Sequence, residues 1–282
     1  MDRSAVVHKL IDLLLAMMPT CADQASKFET DYESQRALLR GLMNMTDPKH
    51  QLSDEYFKLQ DELLQDELAE KTLLDVTALP PAKLDSRLRL YEGDITTLKA
   101  DAIVNSADPS LLGCFIAGHH CLDNCIHSAA GLQLRYACKQ LLDKHGSALS
   151  QVGSAMCTRA YNLPCQAIIH TVGPRVLWQL SNTEEEALKT CYRSCLQLAR
   201  KHKFRTLVFS CISTGENRFP HTRAGAIAVS TVEEELKAHQ DQMLVVFNTF
   251  KSVDTDVYTS QLDPKPQRKA DELHPFFNEN LF

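Results

Sequence analysis

From Val6 to about Leu74, apolar residues recur at helical spacing: Leu10, Leu13, Leu14 and Met17, then Leu38, Leu39, Leu42 and Met43, then Tyr56, Leu59, Leu63, Leu64 and Leu68. Ser53 stands before "DEYFKLQDELL", where its hydroxyl can cap a helix whose acidic first turn suits the helix dipole. The breaker pair Pro80 and Pro81 closes this stretch, which predicts an all-helical extension over residues 1–86. Beyond it the period changes. "RLRLYEGDI" alternates into a turn, and "DAIVNSA", "QAIIHTVGP", "TLVFSCIST" and "MLVVFNTF" are short β-branched runs bounded by loops, the form of buried strands.

Longer helical stretches separate these runs: Asp123 to Lys144, Glu184 to Lys203, and Arg223 to His239. Strands alternating with such helices predict an α/β layered domain, residues 87–260, with a largely parallel sheet. Ligands of these sheets sit where loops leave the carboxyl ends of the strands, here "VNSADPSLLGCF" and "SCISTGENRFP". From Gln261 the chain turns polar and irregular, so residues 261–282 read as a flexible tail, with a more apolar "HPFFNENLF" at its end that could dock.

Composition narrows the class. A net charge of −6 gives no reason to expect binding to a nucleic acid backbone, and no apolar run reaches the ~20 residues of a membrane span. The apolar stretch at the start lacks the flanks of a signal peptide, so the expected location is cytoplasmic. Ten cysteines are then expected reduced, and Cys21, Cys138, Cys157, Cys165, Cys191, Cys195 and Cys211, each in apolar surroundings, read as buried thiols.

One loop stands apart. "GCFIAGHHC" places Cys114, His119 and Cys121 at Cys-x4-His-x-Cys spacing between a strand and a helix. These are zinc's preferred ligand types, and three of them leave a fourth tetrahedral position for water or substrate. His120, Cys125 and His127 crowd the same region; helix packing or exposure is the simpler reading of each. The rival chemistry is nucleophilic, with Cys114 attacking a carbonyl and His119 or His120 as base, although nothing marks an orienting third group. "STGENRFP" is a loop of small residues after a strand whose backbone N–H groups could wrap a phosphate, or a plain surface turn.

In this order "GDITTLKADAIVNSADPSLLGCF", "HCLDNCIHSAAGLQLR", "IIHTVGP", "ISTG" and "VVFNTF" resemble the macrodomain family over roughly Leu88 to Tyr258. The Gly-Cys-Phe loop followed by His and Cys, with a helical extension before it, resembles the zinc-dependent branch. That resemblance implies a three-layer α/β/α macrodomain with a mixed, largely parallel sheet. It implies a hydrolase that removes ADP-ribose from modified, chiefly acidic, protein side chains, or alternatively a module that binds ADP-ribose without turnover. It further implies one catalytic Zn2+ on Cys114, His119 and Cys121, and in this branch the partner modifier is often a sirtuin-type ADP-ribosyltransferase.

By the same resemblance Asp94 would accept the adenine amino group and Ile95 would support it by backbone contact. Asn105 would lie near the distal ribose, with Asn105 and Asp108 as the catalytic candidates. Ser213, Thr214, Gly215, Glu216, Asn217, Arg218 and Phe219 would wrap the pyrophosphate, with Phe219 near the ribose and Asn248 lining the adenosine end. Four positions depart from the branch pattern. Asp108 replaces an asparagine, where a carboxylate would act as a base or zinc partner or would repel the pyrophosphate. Arg218 and Glu216 replace a glycine and a hydrophobic residue. Ala117 replaces a proline. A glycine at 218 would adopt positive φ freely, whereas arginine does so at a cost, which its guanidinium would offset by meeting the diphosphate.

Overall fold

The computed structural model describes residues 2–263. Its first part is helical: α1 (Arg3–Met17), the short α2 (Ala22–Ala25), α3 (Tyr32–Met45) and α4 (Asp54–Ala69). Asp2, Asp31 and Ser53 cap α1, α3 and α4 by accepting the N–H of Ala5, Ser34 and Tyr56. The apolar stripes meet in one cluster of Val7, Leu10, Leu14, Leu39, Leu42, Tyr56 and Leu63, to which the α/β domain adds Leu132. The helices are therefore fastened to that domain through a shared core.

A two-residue strand β1 (Leu74–Asp75) leads into β2 (Leu88–Glu92), β3 (Leu98–Lys99), β4 (Ala102–Ala107), helices α5 (Leu122–Ala130) and α6 (Leu132–His145), then β5 (Ala155–Arg159) and β6 (Ala167–Val172). Helix α7 (Asn182–Lys201), β7 (Thr206–Phe209), α8 (His221–Ala238), β8 (Leu244–Thr249) and α9 (Ser252–Leu262) complete it. Six strands form a sheet in the order β2-β8-β7-β4-β6-β5, parallel throughout except for the antiparallel edge strand β5. Alternate residues supply opposite faces, as strand geometry requires. Val104, Ile169, Phe209 and Phe247 pack against α7, α8 and α9. Ile103, Ile168, Val208 and Val246 pack against α5 and α6.

Several elements differ from the sequence reading, beginning with β1, which falls inside the stretch expected to be all-helical and pairs in parallel with β3, itself unexpected. The helix expected over Asp123 to Lys144 is two helices, because Gly131 takes a φ of 93° and breaks the ladder between α5 and α6. The edge strand β5 and helix α9 are additional to the expected elements, and α9 carries Gln261 and Leu262, the first residues of the expected tail. The remaining tail and its apolar end, from 264 onward, lie outside the described residues. Cys138, Cys165, Cys191 and Cys195 are buried, while Cys21, Cys157 and Cys211 are only partly so.

Candidate functional site

Parallel β2, β8, β7 and β4 deliver their carboxyl ends to one rim. Asp94 follows β2, Asn248 ends β8, the Ser213–Phe219 loop follows β7 and the Cys114–Cys121 loop follows β4. At ~4.8 Å between neighbouring strands, the path from Asp94 to the cysteine loop spans three gaps, roughly 14 Å. The arrangement is a strip of sites rather than a single pocket.

At the strip's end, one ligand atom each of Cys114, His119 and Cys121 lies within 4.8 Å of the others. Cys114 Sγ stands 3.4 Å from His119 Nδ1. Two ligands on one tetrahedral zinc, at ~2.3 Å for sulfur and ~2.0 Å for nitrogen, sit roughly 3.5 Å apart, so the observed spacing fits. Cys121 is the N-cap of α5, its Sγ accepting the N–H of Asn124. Burial nevertheless pushes the Cys121 thiol up to about 12, and the adjacent Cys114 adds to the rise. Gly113 admits this loop, since its φ is +79° and a Cβ there would meet the His127 ring at 2.7 Å.

His120 is exposed and takes no part in the group. Cys125 faces Arg40 instead. His127, Cys138 and His170 form a second close group, wholly interior. His170 is already engaged there: Asn105 Nδ2 donates to its Nδ1 at 3.2 Å, and its Nε2 pairs with Thr158 Oγ1 at 3.0 Å. Burial lowers both histidines to about 3, so each is neutral.

Asn105 itself is fully buried, and its amide also donates to Asp123 Oδ1 at 2.7 Å. Asp123 lies in the first turn of the helix that Cys121 caps, and in the sequence nothing distinguishes it from any other first-turn acid. Burial raises its pKa, and Asp123 Oδ2 has no protein partner. Asp108 stands close enough for its backbone and its charge to act on Asp123, but its own carboxylate turns away. It is exposed, and its Oδ1 accepts the N–H of Ser110 at 2.8 Å in a local turn, so the structure does not join its carboxylate to the three donors.

Across the rim, the Ser213–Phe219 loop is closed on itself by Phe219 N–H to Ser213 O and Arg218 N–H to Gly215 O, both 3.0 Å. Among the described residues no backbone acceptor takes the N–H groups of Gly215, Glu216 and Asn217. Ser213 and Arg218 both hold positive φ, 68° and 58°, a conformation that costs a non-glycine residue roughly 1–2 kcal/mol. Such strain gathers at ligand clamps. Asn217 anchors the loop by donating to Gly173 O at 3.2 Å, and Thr214 donates to Cys211 O. Glu216 is exposed and brings Oε1 within 3.6 Å of His119 Nε2, linking the two loops. Phe219 is buried in the core beneath the loop rather than presented at its surface.

The far end of the strip is built on caps. Asp94 Oδ1 accepts Thr96 N–H at 2.9 Å and Thr96 Oγ1–H at 2.7 Å, leaving Oδ2 half exposed, 3.8 Å from Lys71 Nζ. Ile95 is buried. Asn248 is buried too, and its amide donates to Tyr91 O and Gly93 O, so it supports the turn beneath Asp94 instead of facing outward.

The Macro domain family matches residues 104–228. A Staphylococcus aureus protein named Protein-ADP-ribose hydrolase is 44% identical over 239 residues, 84% of this chain and 87% of its own length. The rat ADP-ribose glycohydrolase MACROD1 is 34% identical over 238 residues, 83% of this chain and 88% of its own. Among solved structures, the Trypanosoma brucei macrodomain in complex with ADP-ribose superposes with a TM-score of 0.60 at 26% identity, covering 75% of this chain and 91% of that one.

Proposed function

The chain belongs to the macrodomain family, and on that premise we propose that it is a protein ADP-ribosylhydrolase that uses zinc and acts on acidic side chains. Its mixed six-stranded sheet between helical layers is the macrodomain fold. The observation that carries the proposal is the convergence, on one rim, of the Cys114, His119 and Cys121 donors with a strained loop of free N–H groups.

In this reading ADP-ribose lies along the strip. Asp94 Oδ2 accepts from the adenine end, the N–H groups of Gly215, Glu216 and Asn217 hold the diphosphate, and the distal ribose meets the donor loop. Asn105 fixes Asp123 at the base of that loop. Cys114, His119 and Cys121 would hold zinc, which when bound lowers the pKa of coordinated water towards ~7. We place the work in the cytoplasm, against marks left by a sirtuin-type transferase.

The test is release of ADP-ribose from an aspartate- or glutamate-modified protein, alongside metal analysis of the purified chain. Stoichiometric zinc, with turnover abolished by Cys121→Ala, is the expected result. ADP-ribose binding without release under any metal condition would overturn it in favour of a binding module. That second reading draws on Asp108, whose carboxylate is spent on a surface turn.

A further inference from the structure

We infer that Arg40 and Asn44, on helix α3 of the extension, are positioning residues for the metal loop, fixing the backbone from which His119 presents its ring. The inference rests on the reading of that loop as a metal site. The loop between Gly113 and Cys121 has no helix or strand, only one turn closed by His119 N–H to Ile116 O at 3.2 Å, and Ile116 at its tip is 62% exposed. Three donors on such a segment hold a common geometry only if something outside it removes the backbone freedom, worth ~1–2 kcal/mol per residue. The extension supplies that constraint.

Asn44 is 2% exposed, and its Oδ1 accepts the N–H of Gly118 at 3.0 Å, while its Nδ2 donates to Ser128 Oγ on α5. Arg40 Nη2 donates at 3.0 Å both to His119 O and to Asn124 Oδ1. Asn124 closes the circuit, because its side chain also donates to Ile116 O and its backbone N–H meets Cys121 Sγ. Thus α3 grips the Ala117–Gly118 peptide just before His119 and the His119–His120 peptide just after it, and through Asn124 it also grips the turn that carries Cys121. None of these contacts reaches a reacting atom. Their effect is on where the donors stand.

The experiment uses the full chain and cobalt(II) as probe, read by its thiolate charge-transfer absorption and by competition with a chelator. Arg40→Ala and Asn44→Ala are expected to weaken cobalt binding by at least ~10-fold, the usual cost of losing an outer-shell partner, and to alter the spectrum. Arg40→Lys, which keeps a cationic donor, restores part of the loss. Arg36→Ala is the control: it removes the pair with Glu67 that joins α3 to α4, and should lower the unfolding midpoint of the metal-free protein without changing cobalt affinity. Wild-type affinity and spectrum in both alanine variants, or an equal loss in Arg36→Ala, would overturn the inference while leaving the metal site standing. A wild-type chain that binds no cobalt would remove the metal reading and the inference with it.

Discussion

His119 and Glu216 face each other across the rim, Nε2 to Oε1 at 3.6 Å, and they are the point where the donor loop and the phosphate-type loop touch. Glu216 places a carboxylate beside N–H groups that would serve an anion. Its 77% exposure means that solvent screens most of its field. Replacing it by glutamine should tighten ADP-ribose binding by no more than about fivefold, equivalent to ~1 kcal/mol, and the gain should shrink as salt rises. Calorimetric titration at low and high ionic strength checks this; a weaker complex in Glu216→Gln would show the carboxylate to be an attractive contact.

Arg218 holds a φ of 58° in the same loop. Arg218→Gly should raise stability by about 0.5–1 kcal/mol, the relief of left-handed strain less the added entropy of a glycine in the unfolded chain. Denaturant midpoints measure that gain. If the guanidinium also meets the diphosphate, ADP-ribose affinity falls in the same variant, so the two readouts move in opposite directions.

Gly173 passes so close to the loop that a Cβ would lie 2.1 Å from Ser213 Oγ. Gly173→Ala should therefore destabilise the fold by ~1–3 kcal/mol, as overpacking does, and weaken ADP-ribose binding by displacing the loop. Pairing it with Ser213→Ala removes the colliding oxygen, which has no hydrogen-bond partner to lose, and should recover much of the loss. Strict additivity of the two substitutions would argue against the collision.

The interior histidines set the response to acid. His127 and His170 titrate near 3 when folded, held down by burial, against about 6.5 in an unfolded chain. Between these values the unfolded state binds more protons, so stability rises with pH and is lost as pH falls from ~6.5 towards 3, by about 1.4 kcal/mol per pH unit for each histidine. Urea midpoints of the metal-free protein between neutral pH and ~5 should fall accordingly. His127→Leu removes a ring that makes no hydrogen bond, its Nε2 standing 3.5 Å from Asp123 Oδ1, and should reduce the slope by one histidine's share.

Burial decides which elements are legible in the sequence. The runs that form β4, β6, β7 and β8 are almost wholly buried, so their composition announces them. The edge strand β5 alternates between buried and partly exposed positions, and its β character is diluted accordingly. Helix α9 buries only Asp254, Tyr258 and Leu262, a stripe at i, i+4, i+8 that its polar ends obscure. The spacing of Cys114, His119 and Cys121 is readable because all three lie on one loop. Asp123 is not, because its meaning comes from Asn105, eighteen residues earlier, across a strand-to-helix crossover. Asn248 shows the converse: a polar residue ending a strand at the rim looks like a ligand contact until its amide is found bonded to the carbonyls beneath Asp94.

Arg135 gives the extension a further meaning. Its guanidinium, 1% exposed, donates to Met43 O, Asn44 O and Thr46 O at the end of α3, and to Leu112 O and Cys114 O at the root of the metal loop, with Phe115 stacked over it at 4.2 Å. A shortened chain beginning at Leu88 would keep this cation and lose three of its acceptors. Without α3, water would have to replace those three carbonyls, and Leu132, which packs into the extension's apolar cluster, would lose its cover. The family-matched segment is therefore not a detachable cassette: grafted alone onto another protein, it would carry the donors but lose part of the cradle of carbonyls that holds its own central arginine in place.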